Sequence, residues 1–371
     1  MLRVATVFSG IGAFEWALHR LGIEHEILFA CDNGERDISY DIESERKRVF
    51  SLTTIDEKKE YVDRLYSSNT SKKNYVEMSY LANYPQLHKN RFFQDIVLLD
   101  GKDFAGKVDI FVGGSPCQSF SSVGNQDGLG DARGTLFYEY ARLIKEIQPK
   151  VFIYENVRNL LTHDGGKTWS IINNSFKSLG YTYKAQVLNA IDYGIPQNRR
   201  RLFVVGFKNK TNFKFPPDTK DCGYVMKDFC IENCAFGHFK YDKTGELLVE
   251  RVPGSCDPKY ILTPKLFAYV MKGGTKSFYM RPVINKTIAR TLLKTMGNRH
   301  RAGIDNYVSF DGTENLGSVR MLTEREAHRL MGFTDDYKIV VSRGQAYKQA
   351  GNSIVVDVLM EIIKEIVKTG F

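Results

Sequence analysis

The chain has 371 residues, 43% of them hydrophobic, and a formal net charge of +9, which is enough length and apolar content for one large core and a smaller unit. It contains no apolar run of about eighteen residues, which excludes a helical membrane span, and it leads directly into Val4–Phe8 with no basic leader or cleavage site, so a cytoplasmic protein is expected. Its six cysteines, at 31, 117, 222, 230, 234 and 256, form no CxxC pair, which excludes a regular disulfide framework and suits a reducing compartment.

Val4-Ala-Thr-Val-Phe8 reads as a strand entering Ser9-Gly10-Ile11-Gly12, and Glu15 to Arg20 as a helix stopped at Leu21-Gly22. Strand, glycine turn and helix make the first βα unit of a nucleotide-type site, because glycine lets a cofactor approach the backbone. The third glycine of the dinucleotide fingerprint is missing, which argues against a nicotinamide oxidoreductase. Glu26–Cys31 is the next strand and ends at Asp32, an acid placed to hold the two hydroxyls of a ribose. Residues 33–90 are charged and helix-prone, with a loop predicted over Ser67–Ser71. They read as a solvated helical insertion with no assigned function.

The apolar run Asp109–Val112 breaks at Gly113-Gly114 and presents Cys117 immediately after Pro116. Proline fixes its own φ and pushes Ser115 towards extended backbone, so the turn is stiff. A thiol held there is a candidate nucleophile once it is a thiolate, although a lone cysteine near a strand end is more often a small buried hydrophobe. Gly124–Arg133 is rich in Gly and Asp and is expected to close over a substrate. A helix through Ile147, ended by Pro149, leads to the strand Val151–Val157, which carries Glu155-Asn156. A right-handed crossover of this kind sets Cys117 and Glu155 side by side at the carboxyl edge of the sheet, where open α/β sheets bind ligands. A helix over Trp169–Leu179 and a strand over Tyr183–Leu188 lead to Gln197-Asn198-Arg199-Arg200-Arg201 and a strand over Leu202–Gly206.

Beyond Phe207 the alternation lapses into Pro216-Pro217 and short segments, the predicted start of a second domain. Residues 208–320 carry 19 Lys and Arg against 11 Asp and Glu, and residues 258–304 carry ten basic residues and no acid. A one-signed stretch of this length is the footprint expected for a polyanion partner. Within it, Thr287–Thr291 and Met296–Gly303 mix polar, basic and glycine residues as base-reading loops do, with Arg290, Arg299 and Arg301 as candidate contacts. Cys222, Cys230, Cys234, His238 and Cys256 crowd together but fit no common zinc spacing, and no metal is expected. Thr323 with Glu326 three residues on marks a helix start, and a last helix is predicted from Gln349-Ala-Gly351-Asn352 to Val367.

In this order and at these spacings, Gly-Gly-Ser-Pro-Cys-Gln-Ser-Phe-Ser (113–121), Arg-Gly-Thr-Leu-Phe (133–137), Glu-Asn-Val (155–157) and Gln-Asn-Arg-Arg-Arg (197–201) resemble the core motifs of the cytosine-5 methyltransferases, across most of the chain. The resemblance implies an α/β fold: a Rossmann-like S-adenosylmethionine-dependent domain from 1–207 plus 332–371, and a smaller, mostly irregular or β target-recognition domain from 208–331. It implies S-adenosylmethionine as cofactor, held by Phe8, Gly10, Ile11, Gly12, Asp32, Pro116, Leu136, Asn352 and Ile354, with Asp95 and Ile96 at the adenine. Asp32 falls where the family usually has Glu, and Thr6 where it commonly has an acid.

By the same resemblance Cys117 adds to C6 of the base, Glu155 acts at N3, and Arg199 and Arg201 act at O2. Gln118, Arg133 and Gln197, with the three arginines named above, fall to DNA. The implied partner is double-stranded DNA from which a cytosine is swung out of the stack. A monomer in the bacterial cytoplasm is expected, with a cognate restriction endonuclease acting separately. A tRNA methyltransferase on the same motifs and an inactive DNA-binding regulator are the alternatives. The basic stretch favours duplex DNA, and intact Cys117, Glu155, Gln197 and Arg201 favour an enzyme.

Overall fold

Strand β1 (Leu2–Val7) lies inside a seven-stranded sheet in the computed structural model, which describes residues 1–87, 89–116, 135–218, 222–272 and 282–371. It pairs with β2 (His25–Cys31) and β4 (Ile110–Gly113), and the sheet also takes in β3 (Phe92–Phe93), β5 (Val151–Val157) and β6 (Thr182–Asn189). The two-residue β7 (Gln197–Asn198) stays outside this sheet, and β8 (Arg200–Phe207) completes it in the order β3-β2-β1-β4-β5-β8-β6. The strands from β3 to β5 pair in parallel, whereas β8 runs antiparallel to both β5 and β6. Strand order reverses across β1, so the carboxyl ends of β1 and β4 form the crevice in which such sheets take ligands.

Alternation along the strands builds two core layers. Val4, Ile110, Ile153 and Val205 face one layer, and Ala5, Phe111, Phe152 and Val204 face the other. Helix α1 (Ala13–Arg20) covers the first layer. Helices α2 (Ile42–Phe50), α3 (Ile55–Asn69) and α4 (Tyr75–Asn83) follow, and α5 (Thr135–Ile147) and α6 (Lys167–Ser178) cover the second layer through Tyr140, Ile144, Ile172 and Phe176. In the second half come α7 (Pro264–Met271), α8 (Glu324–Arg329), α9 (Arg343–Asn352) and α10 (Val356–Lys368). Helix α10 buries Leu359, Ile362, Ile363 and Ile366 at helical spacing and packs against α1.

Several sequence expectations change. Helix α3 runs through Ser67 and Ser68 to Asn69, where a loop was expected, because Ser67 Oγ donates to Arg64 O and Asn69 Nδ2 to Leu65 O. Segment 33–90 is not a merely solvated insertion: Val62, Tyr66, Tyr80 and Tyr84 are buried in it. Residues 349–352 end α9 instead of starting the last helix, which begins at Val356. Arg200 and Arg201 lie within β8 instead of preceding it.

The core does not stop at Phe207. Met226, Phe229, Phe239 and Leu247 join the layer of α1 and α10, with β9 (Phe239–Tyr241) and β10 (Leu247–Val249) paired as a hairpin. A separate cluster of Leu262, Val270, Ile284, Ala302, Tyr307 and Val319 forms the heart of the smaller unit. Its two-residue β11 (Ala289–Arg290) pairs with β7, and β12 (Tyr307–Ser309) pairs with β13 (Val319–Met321).

Candidate active site

A cavity of about 300 Å³ opens at the carboxyl ends of β1, β4 and β5, large enough for a small organic ligand. Phe8, Gly10 and Ile11 from the loop after β1 line it, with Asp32 from the end of β2 and Gly114, Ser115 and Pro116 from the turn after β4. Phe8 takes a φ of +51°, a region that costs a bulky residue strain. Gly12 (φ +79°) is forced in a different way: a Cβ there would stand 2.2 Å from the Tyr84 ring.

Asp32 ties this loop together. Its Oδ2 accepts from Gly10 N at 2.9 Å and its Oδ1 from Gly34 N at 2.9 Å, while Asn74 Nδ2 donates to its carbonyl at 2.8 Å. Burial pushes the carboxyl above its ordinary range against the pull of those two amides.

Glu155 stands at the end of β5 with its carboxylate 15% exposed, and Arg201 Nε lies 3.2 Å from Oε1. Burial raises the Glu155 carboxyl, and the charges of Arg201 and Arg199 oppose the rise. The paired glycines of the preceding turn are packing requirements: a methyl on Gly113 would meet the Tyr140 ring at 2.7 Å, and one on Gly114 would meet Glu155 O at 2.8 Å. Asn156 fixes the turn by donating from Nδ2 to Ser115 O at 2.9 Å and to Tyr154 Oη at 2.8 Å.

A second cavity, a cleft of about 740 Å³, is lined by Val157, Arg158, His163, Asn198, Arg200 and Thr291 among others, and Arg201 belongs to both cavities. Alternation along β8 sends Arg200 into the cleft and Arg201 to Glu155. The arrangement therefore places an acid and a guanidinium where a basic cleft meets a nucleotide-sized pocket.

A family model described as C-5 cytosine-specific DNA methylase matches residues 2–368. The chain belongs to that family. It is 37% identical over 257 residues to the Type II methyltransferase M.HhaI of Haemophilus parahaemolyticus, covering 68% of this chain and 74% of the relative. It is 35% identical over 322 residues to M.SsoII of Shigella sonnei, covering 83% and 75%. Among solved structures, S. pombe Dnmt2 methyltransferase superposes with a TM-score of 0.67 at 18% identity, covering 99% of both chains. A putative DNA modification methyltransferase from an E. coli prophage gives 0.62 at 19% identity, covering 100% of this chain and 99% of that one. These two show the shared fold.

Of the residues expected at the methylase's site, Phe8, Gly10, Ile11, Asp32, Pro116, Glu155, Arg199, Arg201 and Asn352 line the main cavity. Ile354 lines a smaller cavity beside it. Cys117, Gln118 and Arg133 lie outside the described residues, as does the loop 124–133. Gly12, Asp95, Ile96 and Leu136 are not among the lining residues; Asp95 Oδ2 is taken by Tyr40 OH at 2.7 Å and Tyr66 OH at 2.9 Å, and its Oδ1 by Val97 N.

Gln197 does not face DNA: fully buried, its Nε2 donates to Leu330 O and its Oε1 accepts from Leu292 N. Arg199 reaches the cavity wall, but its guanidinium is committed elsewhere. Nη1 donates to Leu292 O at 2.9 Å, and Nη2 to Gly351 O at 2.9 Å and Ser353 O at 2.7 Å. It brackets the smaller unit to the end of α9. Burial and the neighbouring Arg201 both disfavour its charge, while Glu155 supports it.

Arg301 is pinned by Asp305 and Thr295, and Arg290 Nη1 donates to Asp305 O at 3.3 Å. Arg299 is exposed and lines a basic groove with Lys294 and Lys348. Sequence reasoning missed Tyr75, Val76, Lys348 and Gln349 on the main cavity and Arg158 and His163 on the cleft. The Glu-Asn pair at 155–156 was the available signal for Asn156.

Proposed function

We propose that this chain transfers a methyl group to C5 of a cytosine extruded from duplex DNA, through a covalent adduct between Cys117 and C6. The Cys117 thiolate adds to C6, which pushes electron density through the ring onto C5. After C5 has gained its methyl group, loss of the C5 proton and elimination of the thiolate restore the aromatic ring and the free enzyme. S-Adenosylmethionine, the methyl donor that fits the cavity, supplies an electrophilic methyl group. Asp32 holds its ribose hydroxyls, the Phe8–Ile11 loop and Asn352 hold the rest, and the glycines allow close approach.

The observation that carries this reading is the Glu155–Arg201 pair at 3.2 Å, set at the junction of the two cavities. A carboxyl whose protonated form is favoured by burial keeps a proton at N3 of the base, and a guanidinium beside it donates to O2; both make C6 more electrophilic. Arg199 holds the wall against which this pair sits. The cleft takes the duplex, with Arg158, Arg200 and the exposed Arg299 on phosphates, while Arg290 and Arg301 shape the loop beside them. Phosphate contacts offset the unstacking of the target base, a few kcal/mol. Residues 1–207 with 332–371 form the catalytic domain, whose core also takes in Met226, Phe229, Phe239 and Leu247, and the rest of 208–331 is the reading domain, acting as a monomer in the bacterial cytoplasm alongside a separate endonuclease.

The test is incubation of the pure protein with S-[methyl-³H]adenosylmethionine and either plasmid DNA or total tRNA. Label is expected in duplex DNA at discrete cytosines that bisulfite sequencing locates. Label only in tRNA overturns the substrate assignment.

A further inference from the structure

Thr6 occupies the position at which an acid was expected, yet a carboxyl returns to the same place from helix α1. Glu15 is 0% exposed, and its Oε1 accepts from Thr6 Oγ1 at 2.8 Å and from Tyr80 OH at 2.6 Å. Its other oxygen, Oε2, is buried and has no hydrogen-bond partner among the described residues. Glu15 lines a small cavity of about 70 Å³ beneath the glycine loop. That cavity shares Phe8, Gly10, Ile11, Asn352 and Ser353 with the main pocket, so the two adjoin.

A buried carboxylate oxygen without a donor is an expensive arrangement, and native structures almost always supply a partner. Burial pushes the Glu15 carboxyl up, against the Tyr80 and Thr6 hydroxyls and its own amide. A cation arriving in the small cavity restores the charged form and fills the open lone pairs with a charge-assisted hydrogen bond. The volume suits one ammonium group with a water molecule, and it is far too small for an adenine or a ribose.

We propose that Glu15 Oε2 is the acceptor for the α-ammonium of the methyl donor's amino-acid tail, directly or through one water, and that the small cavity receives that ammonium. Tyr80 from α4 and Thr6 from β1 hold Oε1 and so aim Oε2. This gives segment 33–90 a role: α4 reaches the ammonium site through Tyr80 and walls the main pocket with Tyr75 and Val76. The inference rests on the methyl-donor reading above.

The test compares two ligands on the full chain by titration calorimetry: S-adenosylmethionine, and 5′-methylthioadenosine, which keeps the nucleoside and thioether but lacks the amino-acid tail. Glu15→Gln is expected to weaken S-adenosylmethionine binding about tenfold or more, the loss of one charge-assisted hydrogen bond, and to leave 5′-methylthioadenosine within about twofold. Unchanged S-adenosylmethionine affinity overturns the subsite. An equal loss for both ligands also overturns it, since Glu15 then acts through the fold. A parent protein that binds neither ligand refutes the methyl-donor reading itself, a result separate from either.

Discussion

Replacing Arg199 with methionine keeps the aliphatic stem but strands three carbonyls, those of Leu292, Gly351 and Ser353. Each buried acceptor left without its donor costs about 1–1.5 kcal/mol once the desolvation of the lost guanidinium is credited back, so the total is about 3–5 kcal/mol. At about 2–4 °C per kcal/mol for domains of this class, melting falls by roughly 6–20 °C. The companion variant Arg201→Met breaks an ion pair whose members are 16% and 15% exposed, but burial already favours the protonated Glu155 carboxyl, so the acid left behind becomes neutral at little cost. It should melt within about 2 °C of the parent while losing methyl transfer.

Thermal unfolding followed by intrinsic fluorescence, alongside single-turnover methylation, separates the two. If Arg199→Met melted with the parent and lost only its rate, the bracket would be the wrong description and Arg199 would belong to the substrate.

Glu155→Gln should lower kcat by about 10²–10⁴-fold, the range of a lost proton donor, with S-adenosylmethionine affinity unchanged. Because burial raises the Glu155 carboxyl, the parent's rate should decline as pH rises through that raised value, and a pH profile of the variant should lack this limb. Gly34→Ala places a Cβ 2.2 Å from Asn74 Oδ1 at a φ of +64°; a stability loss of about 1–3 kcal/mol and weaker cofactor binding are expected from denaturant titration and calorimetry. For Asp109, burial pushes the carboxyl up, but the hydrogen bonds from Arg3 and Lys150 outweigh it and hold it at about 2. A depressed folded value means its contribution is complete above the ordinary value of 3.8 and is lost as pH falls towards about 2. Asp109→Asn should therefore show a smaller stability loss than the parent across that acid window in urea titrations.

Much of the catalytic scaffold was legible because period-two burial, glycine turns and a proline stop are local signals. Strands at Val4, Asp109 and Val151 were found within a few residues, and Glu155 and Arg201, named separately from their motifs, stand 3.2 Å apart in the structure. What failed was partnership at long range. Gln197 and Arg199 sit in a motif full of polar residues, and nothing local says that their donors turn inward to carbonyls about a hundred residues away. Asp95 looked free because Tyr40 and Tyr66 lie in a segment read as solvated. The burial of helix α4 escaped notice for the same reason: its apolar and tyrosine face is short, and it is met by α1 and α9. The break at 352–356 reflects Arg199 capturing Gly351 O and Ser353 O, a tertiary event with no sequence period.

The central claim is the covalent step at Cys117. Duplex oligonucleotides carrying 5-fluorocytosine in the mapped recognition sequence cannot lose a proton from C5 after methylation, so the adduct should persist. Denaturing electrophoresis with peptide mass spectrometry should then find a one-to-one complex at Cys117 that forms only with S-adenosylmethionine. Full methylation of ordinary DNA with no trapped complex on the fluorinated strand, or an adduct at another residue, would contradict the account.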